Sequence, residues 1–160
     1  MSKQDVKNFF EKYVFDWMFS DIQREIDLAR SNKRAGNFLC ALGLLCYTEF
    51  MGGIVLGSFR IRPLQRSFDA FLDLMGADYK TFNQTVDVYH VFRCGLAHEY
   101  FVKHNCDIAM LRNDETLGIG KKPTGEYYFV IERYFEDFSN ACRQLYMQKM
   151  ASPNPSLPNW

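Results

Sequence analysis

The residue types best suited to chemistry lie in Val91–Tyr100, VFRCGLAHEY, where Arg93, His98 and Tyr100 follow one another as R-x4-H-x-Y in an otherwise apolar segment. Histidine takes or gives a proton near neutral pH, arginine grips phosphate oxygens through a planar fork, and tyrosine offers a hydroxyl or a stacking ring. Together they suit phosphodiester chemistry on RNA, whose own 2′-OH attacks the adjacent phosphorus once a base removes its proton. Such a reaction calls for neither a metal nor another cofactor. The Arg–His spacing arises by chance about 0.2 times in a chain of this composition, and adding the tyrosine lowers that to about 0.01. A reading without chemistry competes with it: His98 favours the dipole at a helix C-terminus, and Arg93 pairs with a carboxylate.

Geometry limits what one helix can do. On an ideal α-helix Arg93 and His98 are splayed by about 140°. Cys94 and His98 share a face at i, i+4, and Arg93 and Tyr100 share another at i, i+7. Convergence on one substrate requires the helix to loosen near Gly95, or a second copy to pack alongside, which the small Gly95 and Ala97 would admit.

The elements that must position these residues are mostly helical. Apolar residues from Val6 through Trp17 and Met18 to Ile26 and Leu28 predict one long or two abutting helices over Lys3–Ala29, closed by a loop at Ser31–Gly36. Asn37–Gly57 is a continuous apolar run carrying one charge, Glu49. Its length would span a bilayer, but Thr48 and Glu49 at its middle and the amphipathic segments on either side favour a buried core helix over a membrane span. A connection through Pro63 follows, then a short helix over Ser67–Met75 closed by Gly76. The spacing of Phe82, Val86, Tyr89, Phe92 and Leu96 predicts a single helix from Lys80 to Tyr100, with the motif at its C-terminal end. Asp107–Arg112, Thr116–Ile119 and Glu126–Ile131, separated by Asn113-Asp114 and Lys121–Gly125, read as a small hairpin or three-stranded flap before a last helix over Glu132–Met150. Residues 1–150 thus form one domain, and Ala151–Trp160, with three of the five prolines, is expected to be a disordered tail.

Composition narrows the function classes. At 160 residues, 48% hydrophobic and 16% aromatic, the chain has material for one core. Its 19 basic and 19 acidic side chains balance, so no overall field draws it to nucleic acid or anionic lipid, and any such contact must be a local patch. The five cysteines are odd in number and lack CxxC spacing, and the N-terminus has no apolar signal region, which is simplest as reduced thiols in the cytoplasm.

With Arg93-Cys94-Gly95-Leu96-Ala97-His98-Glu99-Tyr100 near the end of the penultimate long helix of a helical frame, the chain resembles the HEPN superfamily (higher eukaryotes and prokaryotes nucleotide-binding), whose signature is R-x4-6-H. The resemblance covers roughly residues 3–150, with its specific part in these few positions. It implies a mainly α, HEPN-like bundle that forms a homodimer with the two motifs facing each other. In many members the fold is a metal-independent endoribonuclease acting on RNA in toxin–antitoxin, defence or RNA-processing systems; in others it is a non-catalytic RNA- or nucleotide-binding module. Carried over by position, it makes Arg93 and His98 catalytic, and Arg93 and Tyr100 substrate-binding. In members with the H-x-Y ending, the tyrosine is also a target of nucleotidyl transfer by a partner antitoxin. The chain departs from the pattern at Cys94, where active members usually have Asn, Asp or His, and a thiol is a poor hydrogen-bond donor. The hairpin before the last helix is an addition to the minimal bundle.

Other candidates carry less. Glu49 is either an acidic partner of the motif or a buried carboxylate paired with an arginine for structural reasons. His90, Cys94 and His98 form an i, i+4, i+8 stripe that offers three ligands without CxxC or HxxxH support, so no metal is expected. Arg60, Arg62 and Arg66, with Lys121 and Lys122, make either a phosphate-contacting patch or a solvated loop surface. Cys40, Cys46 and Cys142 lie on apolar stripes that point to the core.

Overall fold

The computed structural model describes residues 2–100, 102, 105–112 and 115–158. It is mainly helical, with a small three-stranded sheet. The first helix begins at a capping box: the Ser2 hydroxyl accepts from the Asp5 N–H at 3.1 Å, and the Asp5 carboxylate accepts from the Ser2 N–H at 2.8 Å. It runs as α1 (Lys3–Phe9), passes through a π-wound stretch at Phe10–Met18 and continues as α2 (Phe19–Arg30). Where the winding tightens again, the Phe19 N–H reaches both Asp16 O and Val14 O.

Next comes α3 (Asn37–Leu56), the expected apolar helix, which ends at Gly57 with a left-handed φ of 72°. It is long and apolar enough to cross a membrane, yet half of its most apolar stretch is already buried against the rest of the chain. Its most extensive partner is α4 (Gln65–Met75), reached through a cis Arg62-Pro63 bond. The approach depends on Gly52, because a Cβ there would lie 1.6 Å from the Ser67 carbonyl oxygen.

The single helix expected over Lys80–Tyr100 is split. α5 (Ala77–Thr85) starts directly after Gly76, Val86 is extended at φ −132° and ψ 108°, and a second, π-wound helix, the motif helix, covers Tyr89–Glu99. Polar side chains make the break. The Thr85 hydroxyl donates back to Phe82 O at 2.9 Å, Asn83 Oδ1 accepts from the Val88 N–H, and Asp87 Oδ1 accepts from the His90 N–H, both at 3.1 Å. Asp87 thus caps a new helix start that apolar periodicity alone could not reveal.

The flap is a mixed sheet of order β1-β3-β2, with β1 (Cys106–Ala109) parallel to β3 (Tyr127–Val130) and β2 (Ile119–Lys121) antiparallel to it. The expected hairpin is therefore present as β2–β3, closed at Gly125 with φ 93°. The Asn113-Asp114 separator lies outside the described residues. β3 is buried along its whole length and leads straight into α6 (Ile131–Ala151). Tyr127 packs edge-on against Phe92 of the motif helix at 5.3 Å, and Asn37 at the start of α3 donates to Ile108 O at 3.2 Å, so the sheet braces both.

One core cluster runs from Val6 to Leu157. The tail expected to be disordered contributes to it, since Pro155, Leu157 and Pro158 are buried. Composition pointed to disorder because prolines exclude helix and strand, but they do not prevent an extended segment from packing.

Two glycine substitutions in α3 separate close approach from helix propensity. Gly52→Ala should cost at least about 3 kcal/mol or prevent folding, by overpacking against backbone. Gly43→Ala, whose Cβ would meet nothing nearer than Ile22 Cδ1 at 3.8 Å, should leave stability unchanged or raise it by up to about 1 kcal/mol in urea unfolding.

Candidate functional site around Arg93 and His98

The motif helix differs from an α-helix in the one respect that matters for its chemistry. An ideal helix closed by i→i+5 bonds has roughly 4.4 residues per turn, which would set Arg93 and His98 about 50° apart around its axis and not 140°. The π winding covers all of Tyr89–Glu99 and is not confined to Gly95, but the two side chains still meet different surroundings, Arg93 against α3 and His98 in solvent. Cys94 and His98 remain neighbours on one face in either winding.

Arg93 turns inward. Its Nε lies 2.9 Å from Glu49 Oε2, with side-chain exposures of 17% and 15%, and its guanidinium lies 5.7 Å from the centre of the Tyr89 ring. The Arg93 N–H is not aligned along the ion-pair axis, so both buried atoms lack a well-directed hydrogen bond despite the short distance. The attraction is chiefly that of two opposite charges in a poorly solvated place. Among the described residues the Nη groups donate no hydrogen bond, and beyond Glu49 the guanidinium lies against the Tyr89 ring.

The surroundings are sulfur and aromatic. Burial raises the pKa of the Tyr89 hydroxyl, the Glu49 charge adds to the rise, and Arg93 opposes it. The Cys46 thiol is raised by burial in the same way, with Arg93 again opposing and Glu49 adding. Glu49, Arg93, Tyr89, Cys46 and Cys94 are thus one cluster between α3 and the motif helix. Of the two readings open for Glu49, both contain the pairing now observed.

His98 is exposed and, among the described residues, makes no hydrogen bond or ion pair. Tyr100 does not share the face of Arg93. It lies one residue beyond the helix at φ 62° and ψ 2°, 65% exposed, with its ring stacked on Phe38 at 5.5 Å and 11°. The i, i+7 expectation fails because a π winding sets residues seven apart on different faces, about 150° from each other, and because the helix stops at Glu99. Phe38 has no signal in the sequence that sets it apart from the apolar run it belongs to.

Comparison with family models, with curated proteins and with solved structures finds no match. The site's chemistry therefore rests on its own residues.

The other candidates are dispersed. His90 Nδ1 pairs with Asp87 at 2.6 Å, and among the described residues no group of three His, Cys, Asp or Glu is placed to hold a metal ion. Arg62 donates to Phe59 O and Ile61 O, Lys122 lies 3.5 Å from Asp107, and Lys121 sits over the Tyr127 ring. Each of these cations has a local partner. Cys40 and Cys142 are buried, whereas Cys46 is half-buried.

The ion pair can be weighed by a double-mutant cycle. Glu49→Gln and Arg93→Gln should each cost about 1–3 kcal/mol, because each leaves the other charge poorly solvated. The double variant should lose less than the sum by at least about 1 kcal/mol in urea unfolding; strict additivity would mean that the two groups do not sense each other.

Proposed function

We propose that this chain is a HEPN-like, metal-independent endoribonuclease that acts as a homodimer. The observation that carries the reading is an arginine whose Nε faces Glu49 and whose Nη groups donate no hydrogen bond among the described residues, five residues before an exposed histidine on a π-wound helix. In this reading the Arg93 fork holds the non-bridging oxygens of a phosphodiester and stabilises the charge that develops there. His98 takes the proton of the ribose 2′-OH, whose oxygen attacks phosphorus and expels the 5′-oxygen of the next nucleotide. The products are a 2′,3′-cyclic phosphate and a 5′-hydroxyl, the latter protonated by His98 of the second copy. Tyr100 presents its exposed ring to a base and its hydroxyl to a nucleotidyltransferase partner, which would transfer a nucleoside monophosphate from a nucleoside triphosphate and release pyrophosphate.

A second reading, a non-catalytic RNA- or nucleotide-binding module, is favoured by Cys94. Beside His98 the thiol supplies no strong hydrogen bond to orient substrate or base, and the Glu49 carboxylate competes with phosphate for Arg93.

Labelled single-stranded RNA incubated with the purified chain in EDTA separates the two. Cleavage should fall by a factor of about 10²–10⁴ in His98→Ala and be lost in Arg93→Ala, while Cys94→Asn raises it. RNA binding without cleavage by the native chain and by Cys94→Asn would establish the second reading, and neither binding nor cleavage by a folded protein would remove both.

A further inference from the structure

Away from the motif, the first helix and α3 line an open cavity of about 510 Å³ whose walls are mainly aromatic. Phe9, Tyr13 and Trp17 come from the first helix, and Tyr47 and Phe50 from α3. Met18 and Asp21 complete the lining, in which Asp21 carries the one charge.

The rings are set as walls. Tyr13 and Trp17 meet edge to face at 4.9 Å and 84°, Phe9 tilts against Tyr13 at 5.5 Å, and Phe9 stacks over Phe50 at 6.4 Å and 27°. Phe9 is buried while Tyr13 and Trp17 are 38% and 52% exposed, so the walls are rooted in the core and open to solvent. The Tyr47 hydroxyl donates to the exposed Asp21 carboxylate in a long hydrogen bond of 3.4 Å. An exposed Arg24, 3.5 Å from Asp21, is a weak competitor for it.

Aromatic faces carry negative potential, so several of them around one space, with a carboxylate beside them, favour a cationic guest over a neutral one. The protein already displays that attraction: Lys12 Nζ lies 5.3 Å from the ring centres of both Tyr13 and Trp17, without lining the cavity itself. A bare ammonium holds its water tightly and is poorly suited to an apolar interior. An ammonium bearing methyl groups spreads its charge, sheds water at lower cost and presents carbon to the rings.

We propose that this cavity binds a trimethylammonium group, as carried by choline or by a trimethylated lysine side chain. The test is calorimetric titration of the full chain with choline, with its neutral carbon isostere 3,3-dimethylbutan-1-ol, and with a short peptide carrying trimethyllysine beside its unmodified form. At least one of the two cations should bind at least about tenfold more tightly than its uncharged or unmethylated counterpart. Asp21→Asn should weaken binding severalfold and Trp17→Leu should abolish it. Trp17 is half-exposed, so the variant should keep its circular dichroism and unfolding midpoint. Binding of choline alone, or of the peptide alone, supports the site and assigns its source. Equal binding of the isostere, cation binding that survives Trp17→Leu, or no binding at millimolar concentrations would overturn it.

Discussion

The constraint on which the rest of the molecule depends is the burial of α3. A helix this apolar exposes too much surface to stand alone, so the first helix, α4, the motif helix and α6 all take part of their packing from it. Gly52 lets the α4 backbone close in, and the buried Thr48 hydroxyl, which also donates to Leu44 O at 2.9 Å, lies 2.8 Å from the Tyr134 hydroxyl of α6. These contacts give the buried Thr48 hydroxyl partners within the protein. Glu49 differs, because a carboxylate in such surroundings needs a counter-charge.

That need sets the position of the motif. Arg93 answers Glu49 across the interface, and so the guanidinium proposed to hold phosphate is oriented by a requirement of the core. The pairing is short in distance but poorly directed in angle, so it contributes less than a well-formed bidentate bridge would. Burying such a pair is weak evidence for stability, since desolvation offsets much of the attraction. Its clearer effect is geometric: Nε faces Glu49 and the guanidinium is held near the Tyr89 ring, while the Nη groups make no hydrogen bond among the described residues.

Much of this was legible in the sequence, and the parts that were not have physical reasons. A core position for Asn37–Gly57 was expected from Thr48 and Glu49 at its middle and the amphipathic segments on either side, and both readings left open for Glu49 gave it an arginine or the motif as partner. The break at Val86–Asp87 was hidden because apolar spacing continues through it; Asn83, Thr85 and Asp87 carried the signal as side chains able to bond to backbone. The parallel pairing of β1 with β3 was out of reach, since strand runs and turn residues fix local hairpins and say nothing of which edge a distant strand joins. The π winding was equally hidden, for no residue type specifies it, although Gly95 marked where loosening would help. Tyr100 was misplaced because α-helical arithmetic was applied to a segment that is π-wound and ends at Glu99.

Glu49 and Phe50 are consecutive, and on an α-helix consecutive side chains point about 100° apart. One therefore serves the motif and the other the aromatic cavity, and α3 is a wall of both. Sharing a wall is not the same as communicating. Coupling between sites needs an element with two arrangements that each ligand biases differently. Gly52 lies against the Ser67 backbone and Met51 and Ile54 are fully buried, so a second arrangement of α3 would have to break this packing. Occupancy of the cavity would thus stabilise the fold by mass action without changing the geometry at Arg93. Two chemistries on this protein would share a scaffold and remain independent, unless a partner held by the aromatic walls reached the motif itself.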